Sequence, residues 1–513
     1  MSVRSIKQYW WIILLIVLSG VFSVFALLQY FQISVPFLSW STFQNKKDEI
    51  LVVYDMLPRE LDPYSLTMQK RQVSTNIYDG LTQIDRLYRA KPALALSWGN
   101  IDEKTWEFKL RKEVHFHNKA LFTSQDVIAS FEKAKMKAEP ELNGILENIS
   151  DMKAVDTYTV HIKTKLPDPL LLTKLSFLLI TSAQETSGTK TFSGTGPYLL
   201  KDMTEGAVTL ERNDEYWGQR PTIKKVSLRA LPDKYDRFTE LMKGSIDILA
   251  AVPPSQENID DIKNSPTLDL LSLPSLELVY LMFNNEPRAG GSYNPFSDPV
   301  VRKAVSLALN QDQIVSFGEG FARPVNQYIA SGILGYNPDL PKKIFSLDEA
   351  KKTLGNRRFT MKLYTTNDFK IIAEYLRVQL EPLGVNVEYT LLKEDEFLTK
   401  LRKKEMQSYI LGWRFDLGDS LEFFKTHIHS TKGAYGQYNA SGYKNAQVDE
   451  LVSKAESELN ENSRLTLLQE IQKIVQKDTV GVPLFETQHL FVKKKILNWE
   501  PRLDGLILFQ EVH

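Results

Sequence analysis

The sequence predicts an α/β protein of two or three lobes behind an apolar N-terminal segment. Three observations predict it. The length, 513 residues, exceeds what one hydrophobic core organises. Apolar residues alternate with polar ones in the first half, whereas the second half repeats a helix–Gly–strand order, which belongs to α/β layering. An uncharged apolar run stands ahead of both.

That run comes first. Arg4 and Lys7 lie in a short tail, residues 1–8, and no further charge appears until Lys46. The apolar stretch Trp10 to Leu28, within residues 9–31, is long enough to cross a ~30 Å hydrocarbon core as a helix. Tyr9, Trp10 and Trp11 before it, and Tyr30 and Phe31 after it, match interface belts. The basic tail places the N-terminus in the cytoplasm and the main domain outside, as a single-pass protein of the cell membrane. A cleaved signal peptide is the competing reading, because Val24-Phe25-Ala26 forms a weak cleavage site. The length of the run and the poorness of the site favour an uncleaved anchor. Residues 32–48 read as a juxtamembrane spacer.

Beyond the spacer, "KTWEFKLRKEVHF" sets Trp106, Phe108 and Leu110 against Glu107, Lys109 and Arg111, a half-buried strand. "DTYTVHIKT" repeats the pattern with Tyr158, Val160 and Ile162. Between them "TSQDVIASFEKAK" opens on a Thr or Ser cap and has a helical apolar face. Later, Pro299 takes a first helical position behind Asp298 or Ser297, and Ser346 to Glu349 form a capping box. Phe369, Ile372, Ala373, Leu376 and Leu380 share one helix face. Gly384 stops that helix, and the strand "VNVEYTLL" follows. Two long amphipathic helices are predicted near 447–459 and 462–477. Repeats and low-complexity tracts are absent.

Composition excludes several functions. Acids and bases balance at 63 each, so no net field points to nucleic acid or to an anionic surface. There is no cysteine, hence no disulfide, thiolate metal site, cysteine nucleophile or lipid-bearing N-terminal cysteine. No G-x-S-x-G, H-E-x-x-H or phosphate-loop motif occurs. "HFH" (115–117) and "HIH" (427–429) each put two His on one side of a strand without a third ligand nearby, so partly exposed strand histidines are expected rather than metal sites. "GEG" (318–320) lacks the third glycine of a nucleotide site. Asp416 with Asp419, or Asp214 with Glu215, offers the paired carboxylates of a glycosidase, although acidic pairs are common in loops. No catalytic residue, metal or cofactor is expected. Loops dense in aromatics, glycines and amides, "NDEYWGQRP", "GAYGQYNASGYKN" and "GWRFD", fit a site that holds a polar ligand without reacting with it.

One stretch, "SYILGWRFDLGDS" (408–420), concentrates the question. Ser408 to Trp413 reads as a buried strand, yet it runs directly into Asp416, Gly418 and Asp419.

Taken together, the segments resemble the extracytoplasmic solute-binding proteins of the oligopeptide/dipeptide/nickel class, family 5, which serve ABC importers. "PALALSW" with "TWEFKLRKEVHFHNKALFTSQDVIASFEKA" is similar to that family's early block. "GTGPYLLKDMTEGAVTLERNDEYWGQRP" is the most specific match. "YLMFNNEP", "NPFSDPVVRKAVSLALNQDQIV", "ILGWRFDLGDSLEFF" and "YGQYNASGYKNAQVDELVSKAE" follow in order, so the resemblance spans roughly residues 50–490. It departs at Asn118-Lys119, where the family has Asp-Gly, and at Asp419-Ser420, where it has Asp-Pro; the second change is expected to loosen the loop beside the site.

The resemblance implies a multi-lobed periplasmic-binding-protein-like fold, class II type, with an inserted lobe. Lobe I would comprise 49–80, 190–265 and 484–513, lobe II 81–189 and lobe III 266–483. It implies a monomer that captures a peptide by hinge closure and delivers it to an ABC permease with its ATPase subunits, with no reaction of its own. Asp416 best matches the carboxylate that holds a peptide's α-ammonium, with Asp419 second; Trp413 and Tyr438 are the aromatic candidates beside it. A nickel chelate or an oligosaccharide is the alternative ligand, and an anchored hydrolase or sensor the alternative class.

Overall fold

The computed structural model describes residues 47–137, 140–184, 193–251, 255–317 and 322–513. Asp48–His513 forms one unit, separate from Met1–Lys47. The expected anchor, most of the spacer and "GEG" lie outside the described residues. Among the described residues no helix is long and apolar enough to cross a membrane.

An 11-stranded sheet forms the spine. Its order is Val385–Leu392, Phe359–Thr366, Ser408–Arg414, Leu268–Phe283, Gly481–Lys494, Ile248–Ala250, Glu49–Tyr54, Lys225–Ala230, Ala207–Arg212 and Tyr198–Thr204, with Ala322–Pro324 pairing onto Gly481–Lys494. Two long strands, of 16 and 14 residues, run antiparallel through its middle. Their register shifts between Pro274 and Leu278, where Leu276 takes φ +62° although its side chain is buried. Such a bulge bends and twists a sheet. Residue 484, the expected border between lobes III and I, lies within the second long strand.

A separate four-stranded antiparallel sheet, Ala95–Asp102, Thr105–Leu110, Thr159–Thr164 and Ile149–Asp156 in spatial order, lies within 81–189. The predicted alternation holds: Phe108, Leu110, Val160 and Ile162 point into its core with Phe122 and Phe131. Helix Ser124–Met136 covers it, started by a capping box in which Thr123 and Asp126 satisfy each other's backbone N–H. Asp298 accepts from the Val300 N–H at 2.8 Å ahead of helix Pro299–Ala308, and Ser346 accepts from the Glu349 N–H. Helices Ala446–Ser457 and Glu461–Asp478 occupy the two expected amphipathic stretches.

The "GTGPY" run is scaffold. A Cβ on Gly194 would fall 2.0 Å from the Ile77 carbonyl oxygen, so only glycine permits that backbone approach. Thr195, Tyr216 and Trp217 donate to the half-buried Asp79 carboxylate. Burial pushes the Asp79 pKa up, and those donors oppose the shift.

At Asn118-Lys119 the turn survives the loss of Gly. Asn118 Oδ1 accepts from the Ala120 N–H at 3.0 Å, the Lys119 N–H reaches the Phe116 carbonyl at 2.8 Å, and Lys119 takes the left-handed φ of +71°. A side chain there is strained. Lys119→Gly is expected to raise the denaturant midpoint by ~1 kcal/mol equivalent, since the exposed Lys119–Glu215 pair it removes is worth little. A lowered midpoint would show that the pair outweighs the strain.

Candidate ligand-binding site

Strand Ser408–Arg414 is parallel to Phe359–Thr366 on one side and antiparallel to Leu268–Phe283 on the other. Its register with Phe359–Thr366 covers only Ser408 and Tyr409, whereas Leu268–Phe283 stays paired to it as far as Arg414. The alternation divides its side chains. Tyr409, Leu411 and Trp413 pack with one core cluster, and Ile410 belongs to the other.

The chain leaves the strand through a pinned loop. Phe415 donates its N–H to the Leu276 carbonyl at 3.0 Å. Gly418 turns the loop at φ +67°. Asp419 is buried and takes a two-pronged contact from the equally buried Arg464, Nη2 to Oδ1 at 2.9 Å and Nη1 to Oδ2. The same carboxylate accepts from the Leu421 N–H at 2.7 Å, and Arg464 Nε donates to the Ala455 carbonyl at 2.9 Å. These contacts engage both oxygens of Asp419, the expected second ligand carboxylate, within the protein itself. They also correct the expected looseness at Ser420. Its N–H, which a proline would lack, donates to the Leu334 carbonyl at 3.0 Å, while the Leu334 N–H donates to Gly418 at 3.1 Å.

Asp416 stands between these pins with its side chain 51 % exposed. Its Oδ1 lies 3.1 Å from Arg414 Nε, and Arg414 Nη2 donates to the Asp504 carbonyl at 2.7 Å. Tyr88 donates its hydroxyl to the Asp416 carbonyl at 2.6 Å. The Tyr88 ring lies against Gly418, where a Cβ would stand 2.4 Å from its Cδ1. Tyr88 itself is in the left-handed region, φ +65°, at a turn tied by Asp85. Segments near residues 88 and 504 therefore meet the 414–416 stretch, through the Asp416 carbonyl and the Arg414 guanidinium.

Trp413 and Tyr438 sit elsewhere. Both pack on His427, with centroids 4.6 Å and 5.6 Å away, and His427 stacks on Phe423 at 5.3 Å. The Trp413 indole N–H has no partner among the described residues. "HIH" forms part of a π-helical turn, Phe424–Ile428, not a strand, and both His are buried. Burial pushes the His427 pKa down to about 3, so the ring is neutral. In "HFH", His115 is exposed and His117 Nε2 faces the Gly196 carbonyl at 3.0 Å. Among the described residues no group of three His, Cys, Asp or Glu is placed to hold a metal ion. Asp214 pairs with Arg212 and Arg220, and Glu215 with Lys119, all substantially exposed except Arg212, so no acid/base pair forms there.

Sequence reasoning missed Tyr88, Glu277 and Arg464. Only Glu277 carried a signal, as a lone acid in the apolar run "LELVYLMF".

The model of bacterial extracellular solute-binding proteins, family 5 middle, matches residues 89–435. The chain belongs to this family. Among its curated relatives, this family 5 protein is 26% identical to the dipeptide-binding protein of Escherichia coli (strain K12) over 428 residues, 75% of this chain and 78% of the relative. It is 24% identical to the heme-binding protein A of Haemophilus influenzae, covering 77% of this chain and 78% of the relative. Among solved structures, HbpA2 from Haemophilus parasuis superposes with a TM-score of 0.81 at 23% identity, covering 91% of this chain and 99% of the other. DppA from Helicobacter pylori in complex with the peptide STSA gives 0.73 at 24% identity, covering 92% and 99%. These likenesses establish a periplasmic-binding-protein fold for the family 5 chain.

Two predictions follow from this geometry. Asp419→Ala leaves the Arg464 guanidinium buried and unpaired and should cost ~3–5 kcal/mol in chemical denaturation. Adding Arg464→Leu should recover much of that loss; a single-variant cost below ~1 kcal/mol would contradict the pinning role. His427 has a folded pKa below its unfolded one, so its contribution is fully present above pH ~6.5 and falls as pH drops toward the folded value. Between pH 6.5 and 5 wild type should lose ~2 kcal/mol more than His427→Phe. His489, also pushed down by burial, to about 4, is common to both proteins and cancels in the comparison. Parallel pH profiles would place His427 in contact with water.

Proposed function

We propose that this family 5 protein captures peptides by their free amine at Asp416, closes its lobes over them and delivers them to the permease of an ABC importer. In this reading residues 9–31 hold it at the membrane with the main domain outside. The three lobes are 49–80 with 190–265 and 484–513, 81–189, and 266–483. One observation carries the reading. A half-exposed carboxylate follows the C-terminal end of a central strand, on a loop pinned by a buried ion pair. A ligand ammonium displacing Arg414 from Asp416 gains a charge-assisted bond of ~1.5–3 kcal/mol.

The fold supports closure as well as capture. Tyr88 donates to the Asp416 carbonyl and Arg414 to the Asp504 carbonyl, so segments of the three proposed lobes meet around residues 414–416. The two long strands, with the bulge at Leu276, are the segments that would bend. No covalent step is proposed, and the protein acts as a monomer. A relative described as heme-binding and a solved neighbour, NikA from Brucella suis, in complex with Fe(III)-EDTA keep a metal chelate as the second reading.

Native mass spectrometry of the full-length protein, purified in mild detergent without refolding, tests the proposal. A series of short peptides is expected on wild type, at least tenfold depleted on Asp416→Ala with an unchanged melting temperature. Peptides retained equally on the variant would remove Asp416 from the site. A chelate or sugar in place of peptides would move the protein to another ligand class, and turnover of added peptides would overturn the binding role.

A further inference from the structure

Glu277 is the one carboxylate in the apolar run "LELVYLMF", residues 276–283, which ends the strand Leu268–Phe283. Its register partner on the neighbouring strand is Arg414. Leu278, Tyr280 and Met282 pack into one core cluster, and Val279, Leu281 and Phe283 into the other, so Glu277 shares the face of Val279. Across from it, Gly412 and Arg414 share the face of Ile410. Because Gly412 has no side chain, the Glu277 carboxylate fills the space above it: Oε1 lies 2.9 Å from where a Cβ would stand, beside Phe369 Cζ at 3.3 Å from the same point.

This carboxylate is half-buried and meets no hydrogen-bond donor among the described residues; the backbone N–H of Glu277 donates to Ser275 Oγ at 3.2 Å. The cation opposite, Arg414, is already engaged by Asp416 and by the Asp504 carbonyl. Asp504 is satisfied by Arg502 at 2.7 Å, and His489 is neutral. Arg414 thus contacts one of the two carboxylates beside it, Asp416, and leaves Glu277 without an ion-pair partner among the described residues, against the backbone of Gly412. An unpartnered, half-buried carboxylate is unfavourable for folding, and burial pushes its pKa up against the opposing charge of Arg414. A ligand ammonium supplies both the missing charge and the missing donors.

We propose that Glu277 is a second amine-binding carboxylate of this cleft, acting with Asp416 on the ligand's ammonium and selecting free-amine ligands over N-blocked ones. The inference rests on the reading of residues 412–416 as the ligand anchor.

The test offers the full-length protein an equimolar mixture of a random tetrapeptide library and its N-acetylated counterpart, and reads the ratio of bound forms by native mass spectrometry. Wild type is expected to retain the free-amine form. Glu277→Gln should lower that ratio about tenfold while its melting temperature stays level or rises, and Glu277→Asp should fall between. An unchanged ratio in Glu277→Gln would overturn the proposal, as would a melting temperature several degrees lower with the ratio intact, which would make Glu277 structural. Wild type that takes both forms equally would overturn the role of Glu277 and leave peptide capture standing. Wild type that binds neither would sink peptide capture, and this inference with it.

Discussion

The buried contact between Arg464 and Asp419 is the constraint on which the site depends. Taking two charges out of water is costly, and the two-pronged geometry offsets that cost only because each remaining polar atom is also used. Asp419 caps the Leu421 N–H, and Arg464 Nε satisfies the Ala455 carbonyl. The pair links the loop after the Ser408–Arg414 strand to helices Ala446–Ser457 and Glu461–Asp478. An apolar pair of similar volume would hold these helices together equally well. What the ion pair adds is direction: it fixes the loop at one point, so that the carboxylate three residues earlier faces outward.

The same strand organises two environments. On one face Trp413, His427, Phe423 and Tyr438 form an aromatic stack with a neutral imidazole inside it. On the other, Glu277 and Arg414 lie in register, and Asp416 follows at the strand end. One face is a packed wall and the other is charged. Electrostatics at the site comes from the charged face, whereas the wall sets the height and angle of the strand. Tyr88 adds a third support, because its hydroxyl and ring hold the Asp416–Gly418 backbone from a different part of the chain.

Local features of this molecule were legible in the sequence, and distant pairings were not. The strand 408–414, the caps at Thr123, Asp298 and Ser346, and the stop at Gly384 are each encoded within a few residues, by alternation, side-chain oxygens or a left-handed glycine. Asp416 was legible through resemblance, and its position at a strand end follows from the pattern. The fate of Asp419 was not, because its partner lies 45 residues away in another element. Tyr88 meets Asp416 across 328 residues, and no periodicity reports such a contact. "HIH" misled for a related reason: alternating residues imply a strand only when the backbone is extended, and here it winds into a π-helical turn that buries both rings.

The most direct test of the account is a crystal structure of the full-length protein with a free-amine tetrapeptide bound. The account predicts the ligand's terminal nitrogen within hydrogen-bond distance of the Asp416 carboxylate, with the Asp419–Arg464 contact unchanged beneath it. A peptide whose amine lies elsewhere, with Asp416 still occupied by Arg414 alone, would contradict it.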